Sequence, residues 1–126
     1  MPEASLADML SAAETALEHV AGKSRDDYEN QRLLRDAVER RIEIIGEAAR
    51  RMTDEFRAAH PEIPWRVIMA TRHILAHDYD EVDNDIVWRI LTDHLPVLIR
   101  QLRALLPPPP PSPPPSAAPR KPASEE

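Results

Sequence analysis

The chain predicts an all-α fold of four to five helices, and three observations carry that expectation. Apolar residues recur at alternating gaps of three and four through most of positions 1–106, the period of one helix face. Those positions hold only two glycines, too few for phosphate loops or dinucleotide folds, which need glycine for tight turns and close backbone approach. Helix start and stop residues fall where the apolar stripes begin and end.

The first helix is expected over Ser5–Ala21. Leu6, Leu10, Ala13, Leu17 and Val20 form its stripe, and Gly22 follows as a C-cap glycine. Ser24 suits an N-cap, with Asp26 and Asp27 in the turn where the helix dipole favours acids. The next helix is the longest and reaches about Met52. Its main stripe is Leu34, Val38, Ile42, Ile45, Ala49 and Met52. A second line of Leu33, Ala37, Ile44 and Ala48 widens the apolar face and predicts neighbours on two sides. Gly46 inside it costs roughly 1 kcal/mol relative to alanine, and a close helix crossing explains it. A short helix over Asp54–Ala59 is capped by Thr53.

Pro61 and Pro64 bracket a connection, and Pro64 suits the first turn of the following helix. That helix carries Trp65, Ile68 and Leu75 on one stripe and is expected to fray between Ala76 and Tyr79. An acidic run then spans Asp78–Asp85, with Asp83–Asp85 read as loop and N-cap for the last helix. The last helix carries Val87, Leu91, Leu95, Leu98, Leu102 and Leu105, and Pro96 within it is expected to kink it.

Composition separates the chain into two parts. Residues 1–106 read as one small domain; ten of the 14 prolines lie in residues 107–126, a proline-rich, disordered or polyproline tail with no apolar face to bury. Cysteine is absent, which excludes disulfides, zinc knuckles and thiol nucleophiles. No stretch reaches membrane-spanning length and no signal peptide opens the chain, so a cytoplasmic address is expected. The net charge of −6 disfavours nonspecific nucleic-acid binding but leaves room for a local basic cleft.

The chemistry concentrates in Arg72-His73-Ile74-Leu75-Ala76-His77-Asp78-Tyr79. Arg72 interrupts the apolar stripe, and a guanidinium keeps its proton, so it must face a partner, a ligand or water. On one unbroken helix, Arg72 and His77 leave the axis about 140° apart. They can serve one group if the helix ends before His77, or if a second copy supplies the facing set. Arginine beside histidine suits RNA cleavage. The 2′-hydroxyl is the built-in nucleophile, an imidazole moves the proton, and a guanidinium stabilises charge on the phosphate oxygens, with no metal or cofactor required. The plainer readings are an ion pair from Arg72 to Asp78 or Asp80 and a histidine capping a helix end. His73 and His77 share a helical face as metal ligands do, but neither His-Glu-x-x-His nor Glu-x-x-His occurs, and no metal site is expected. His19, His60 and His94 stand alone as surface or boundary residues.

Arg72-x4-His77-x-Tyr79 resembles the motif of HepT-type toxins of the HEPN superfamily. Ile44-Ile45-Gly46-Glu47-Ala48-Ala49, Pro64-Trp65, Tyr79-Asp80-Glu81-Val82-Asp83, Ile86-Val87-Trp88 and Leu95-Pro96 follow in the same order, so the resemblance covers nearly all of residues 5–105. It implies a compact antiparallel bundle that forms a homodimer or higher oligomer with the motifs of two subunits facing one cleft. It also implies a metal-independent endoribonuclease toxin with Arg72 and His77 catalytic. The partner so implied is a minimal nucleotidyltransferase antitoxin of the MntA type, which transfers AMP from ATP to Tyr79. An adenylylated tyrosine would place bulk and negative charge where the substrate phosphate must sit. His73 stands where the family often has a small polar residue and is expected to aid substrate binding. The proline tail departs from the family's compact pattern. The other class of function left open is a non-catalytic helical module that dimerises or holds a nucleotidyltransferase partner.

Overall fold

The computed structural model describes the backbone of residues 2–77 and 84–107, and side chains within 5–71 and 84–107. Among these residues there are seven α-helices, one π-helical turn and no strand. The helices are α1 (Pro2–Val20), α2 (Arg25–Asn30), α3 (Arg32–Arg50), α4 (Asp54–Ala59), α5 (Trp65–His77), α6 (Asn84–Arg89) and α7 (Leu95–Leu105), with the π turn at Ile90–His94. The all-α architecture is as the periodicity predicts. Two of the expected helices are each interrupted, which raises the count.

The long helix expected to follow Ser24 breaks at Gln31, whose φ of −117° and ψ of 100° are extended. The break has a local stabiliser. The Arg35 guanidinium donates to the carbonyls of Tyr28 and Glu29, which end α2 without onward helical partners. Ser24 caps α2 with a reciprocal capping box: its hydroxyl accepts from the Asp27 backbone and Asp27 accepts from the Ser24 N–H. Gly22 has φ 74°, the left-handed conformation that closes α1.

The last expected helix is interrupted rather than simply kinked. Pro96 has no N–H for the carbonyl four residues back, and its ring crowds that carbonyl. The chain widens just before it: the Leu95 N–H donates to the Ile90 carbonyl, five residues back. Pro96 then sits in the first turn of α7, where its missing donor costs nothing. Thr53 caps α4 as expected, its hydroxyl accepting from the Phe56 N–H. Pro64 lies one residue before α5 and supplies the first helical acceptor, its carbonyl taking the Ile68 N–H at 3.0 Å.

The core sits around α3, which packs chiefly on α1 and then on α5, while α7 lies against α1. The α1–α3 contact is built from small residues: Ala12, Ala13 and Ala16 on α1 and Ala48 and Ala49 on α3 are at most 2 % exposed. Small side chains let two helix backbones approach closely, and Gly46 is buried on the same helix. The inner stripe of α1 is Leu6, Met9, Ala13 and Ala16; Leu10, Leu17 and Val20 pack at its edge. Every member of the main α3 stripe is packed. In the second line Ala48 is buried and Ile44 partly so, whereas Leu33 at the helix start is 85 % exposed, because no described element covers that end. Val87, Leu91, Leu95, Leu98 and Leu102 are buried as predicted. No described helix is long and apolar enough to cross a membrane.

Candidate active site

Helix α5 carries the motif, and its start is firmly held. Trp65 is 6 % exposed, and its indole N–H donates to the His60 carbonyl at 3.0 Å. Phe56 packs beside it, edge toward the Trp65 ring, and also meets the His60 imidazole. Ile68 and Met69 are half-buried against the core. On the other side of the helix Arg66, Val67 and Ala70 are exposed.

The helix runs unbroken from Trp65 through His77. Positions 72 and 77 therefore lie on one continuous helix, about 140° apart around its axis. Of the two routes to a shared site, a helix that stops before His77 is ruled out. By register, position 72 follows Ile68 by one turn, on the half-buried side. Position 77 follows Ala70 by two turns and Arg66 by three, on the exposed side. A single protomer thus presents the two motif positions on different sides of α5. The side chains of Arg72, His73 and His77, and Tyr79 altogether, lie outside the described residues, as do Asp78 and Asp80, which the ion-pair reading needs.

Beside the motif lies a feature that the sequence alone does not reveal. An open cleft of about 290 Å³ runs between α5 and the segment formed by the π turn and the start of α7. Ile42, Ile45, Leu95 and Leu98 floor it, and Val67, Ile68 and Thr71 wall it on the α5 side. Its last α5 residue, Thr71, immediately precedes Arg72. Thr71 donates its hydroxyl proton to the Val67 carbonyl, leaving only acceptor capacity toward the cleft. The polar rim is Glu62, Asp93, His94 and Gln101. Gln101 ties α7 to the Pro61–Pro64 connection by donating to the Glu62 carbonyl at 2.8 Å. A carbonyl only accepts, so the amide nitrogen must face it, and the Gln101 Oε1 is left buried without a described partner. His94, read from sequence as an isolated surface residue, is exposed and lines this cleft. The signal that could have found it is Pro96, since a proline deep in a helix pattern marks a disturbed turn just before it, where Asp93 and His94 lie.

Most described arginines are engaged. Arg25 pairs with Glu29 and Asp85, Arg51 with Asp8, Arg57 with Asp54 and Arg103 with Glu14. Arg40 lies 3.5 Å from Glu43 on a solvated face. Arg66 is exposed and, like Arg41, Arg50, Arg89 and Arg100, makes no ion pair with any described residue.

A family model described as ribonuclease HepT-like matches residues 9–105. The chain belongs to the ribonuclease HepT-like family. The expectation of an enzyme acting on RNA rests on that membership. Relatives agree, under provisional names. A protein of Methanocaldococcus jannaschii described as an RNase is 32 % identical over 79 % of this chain and 92 % of its own length. One of Caldanaerobacter subterraneus, also described as an RNase, is 34 % identical over 83 % and 94 %. One of Thermococcus cleftensis, described as ribonuclease HepT, is 34 % identical over 74 % and 84 %. No solved structure gives a significant match. The HepT-like match spans the helix that holds positions 72 and 77 and all the elements that pack against it.

Proposed function

We propose that the chain is the toxin of a HepT/MntA-type pair: a metal-independent endoribonuclease acting on tRNA or mRNA as a homodimer, silenced by adenylylation of Tyr79. The observation that carries the reading is the HepT-like match across the Arg72-x4-His77 helix. The unbroken course of that helix supports the dimeric part. One protomer presents positions 72 and 77 on different sides, so a site using both groups draws on a facing copy.

In the proposed reaction His77 takes the proton of the ribose 2′-hydroxyl, and that oxygen attacks the adjacent phosphorus. The bond to the 5′-oxygen of the next nucleotide breaks, and that oxygen takes a proton, leaving a 2′,3′-cyclic phosphate and a free 5′-hydroxyl. Arg72 stabilises the charge that grows on the non-bridging oxygens. His73 contacts the substrate strand. The antitoxin step moves AMP from ATP onto the Tyr79 hydroxyl and releases pyrophosphate. The added phosphate repels RNA from the site.

The test is incubation of wild type, Arg72→Ala and His77→Ala with total tRNA and with mRNA in the presence of chelator. Wild type should cut and both variants should not. Cleavage that persists in both variants overturns the assignment. Wild-type protein that cuts nothing, yet binds the nucleotidyltransferase stably, favours a non-catalytic binding module instead.

A further inference from the structure

We infer that the exposed face of α5 upstream of the motif is a second RNA subsite, with Arg66 holding a backbone phosphate and the cleft beside Val67 taking an unstacked base. This rests on the ribonuclease reading and names how a single strand is held.

Three observations carry it. Arg66 shares the register of position 77, eleven residues and three turns earlier, or about 16 Å along the helix. A strand lying on this face therefore passes over both. Only Ala70 and position 73 intervene on that line, and Ala70 is small and exposed, so a sugar–phosphate chain can lie close to the helix. Second, Arg66 is exposed and has no described carboxylate partner, so its guanidinium is open to a phosphate. Third, the cleft begins at the next residue: Val67 lines its edge and leaves the helix axis about 100° from Arg66. Val67 is 63 % exposed and Val97, across the opening, 41 % exposed.

The chemistry of the cleft assigns the parts of the nucleotide. Its floor is aliphatic, which suits the flat face of a base. Its rim carries Glu62 and Asp93, which repel phosphate. The base therefore enters the cleft while the backbone stays on the Arg66 side. Single strands are the form whose bases are free to turn this way.

The experiment uses a fluorescent 2′-O-methyl RNA 12-mer, which binds but lacks the nucleophile, titrated with full-length wild type, Arg66→Gln, Val67→Ser and His77→Ala over a range of salt. Each single-strand phosphate contact adds about 0.7 to the magnitude of the log K against log salt slope. Arg66→Gln should lower the slope by about that amount and weaken binding several-fold at low salt. Val67→Ser should weaken binding about threefold and leave the slope unchanged. His77→Ala should bind like wild type. On cleavable RNA, Arg66→Gln should raise KM with kcat held. An unchanged slope in Arg66→Gln, with wild type still binding and cutting, overturns the subsite and leaves the ribonuclease reading standing. Wild type that neither binds nor cuts overturns both. All four proteins should give the same helical circular dichroism, since Arg66 and Val67 face solvent.

Discussion

Helices α3 and α5 pack against each other, yet they are used differently. Helix α3 is enclosed: Val38, Ile42, Ile45, Ala48 and Ala49 are nearly without exposed surface, and α1 and α5 cover it from two directions. Helix α5 is anchored at its first residue, Trp65, and half-buried along Ile68 and Met69, but open along Arg66, Val67 and Ala70. The enclosed helix sets the stability of the fold. The open helix carries the motif and borders the cleft. Substitutions in the two should therefore separate stability from activity.

The largest separation is expected at His77. By register it falls on the open side of α5. His77→Ala should lower RNA cleavage by about 10²- to 10⁴-fold, the range for removing a general acid or base. Its unfolding free energy should stay within about 0.5 kcal/mol of wild type. Parallel cleavage assays and urea melts check this. A variant that loses activity only because it unfolds would erase the contrast.

The opposite pattern belongs to the core. Leu102 on α7 is fully buried, where α7 packs against the rest of the bundle. Leu102→Ala should cost about 2–5 kcal/mol, the lost transfer energy plus the cavity left behind. Activity per folded molecule should be unchanged at temperatures where the variant is folded. A smaller effect is expected at Thr53, whose hydroxyl caps α4. Thr53→Ala should cost about 1 kcal/mol in the same melts.

The same contrast explains what could be read in advance. The main stripe of α3 and the leucine stripe of the last helix were legible because burial at helical spacing leaves a strong pattern. Leu33 was misplaced because the pattern continues past the point where neighbours end, and the sequence does not mark that end. The break at Gln31 was missed because its stabiliser is a side-chain contact across the break itself, Arg35 reaching back to two carbonyls, and no helix-breaking residue announces it. Pro96 did announce a disturbance, but not that it would be absorbed as a widened turn. At the site, the motif was visible as residues. The cleft was not, because α3, α5 and α7 each contribute a few ordinary aliphatic side chains to it, and only the packing brings them together.

The smallest expected effect at neutral pH is the most informative about the enclosed side. Tyr28 is fully buried, 5.7 Å from the Trp88 ring, and its hydroxyl has no hydrogen-bond partner among the described residues. Burial raises its pKa well above the usual phenol value, and the nearby Glu39 carboxylate adds to the rise. Unfolding returns the phenol to water and to its ordinary pKa of about 10. Below that pH the group is protonated in both states, so its ionisation leaves stability unchanged. Above it the unfolded state ionises and the folded state does not, so stability falls with rising pH. Tyr28→Phe removes the titrating group and the unpaired hydroxyl while keeping the ring. At pH 7 it should change stability by less than about 1 kcal/mol, because no hydrogen bond is lost. Between pH 10 and 11.5 the wild type should lose stability more steeply than the variant. Identical curves across that range would mean that the hydroxyl is solvated in the native protein, and that α2 opens to water more readily than α3.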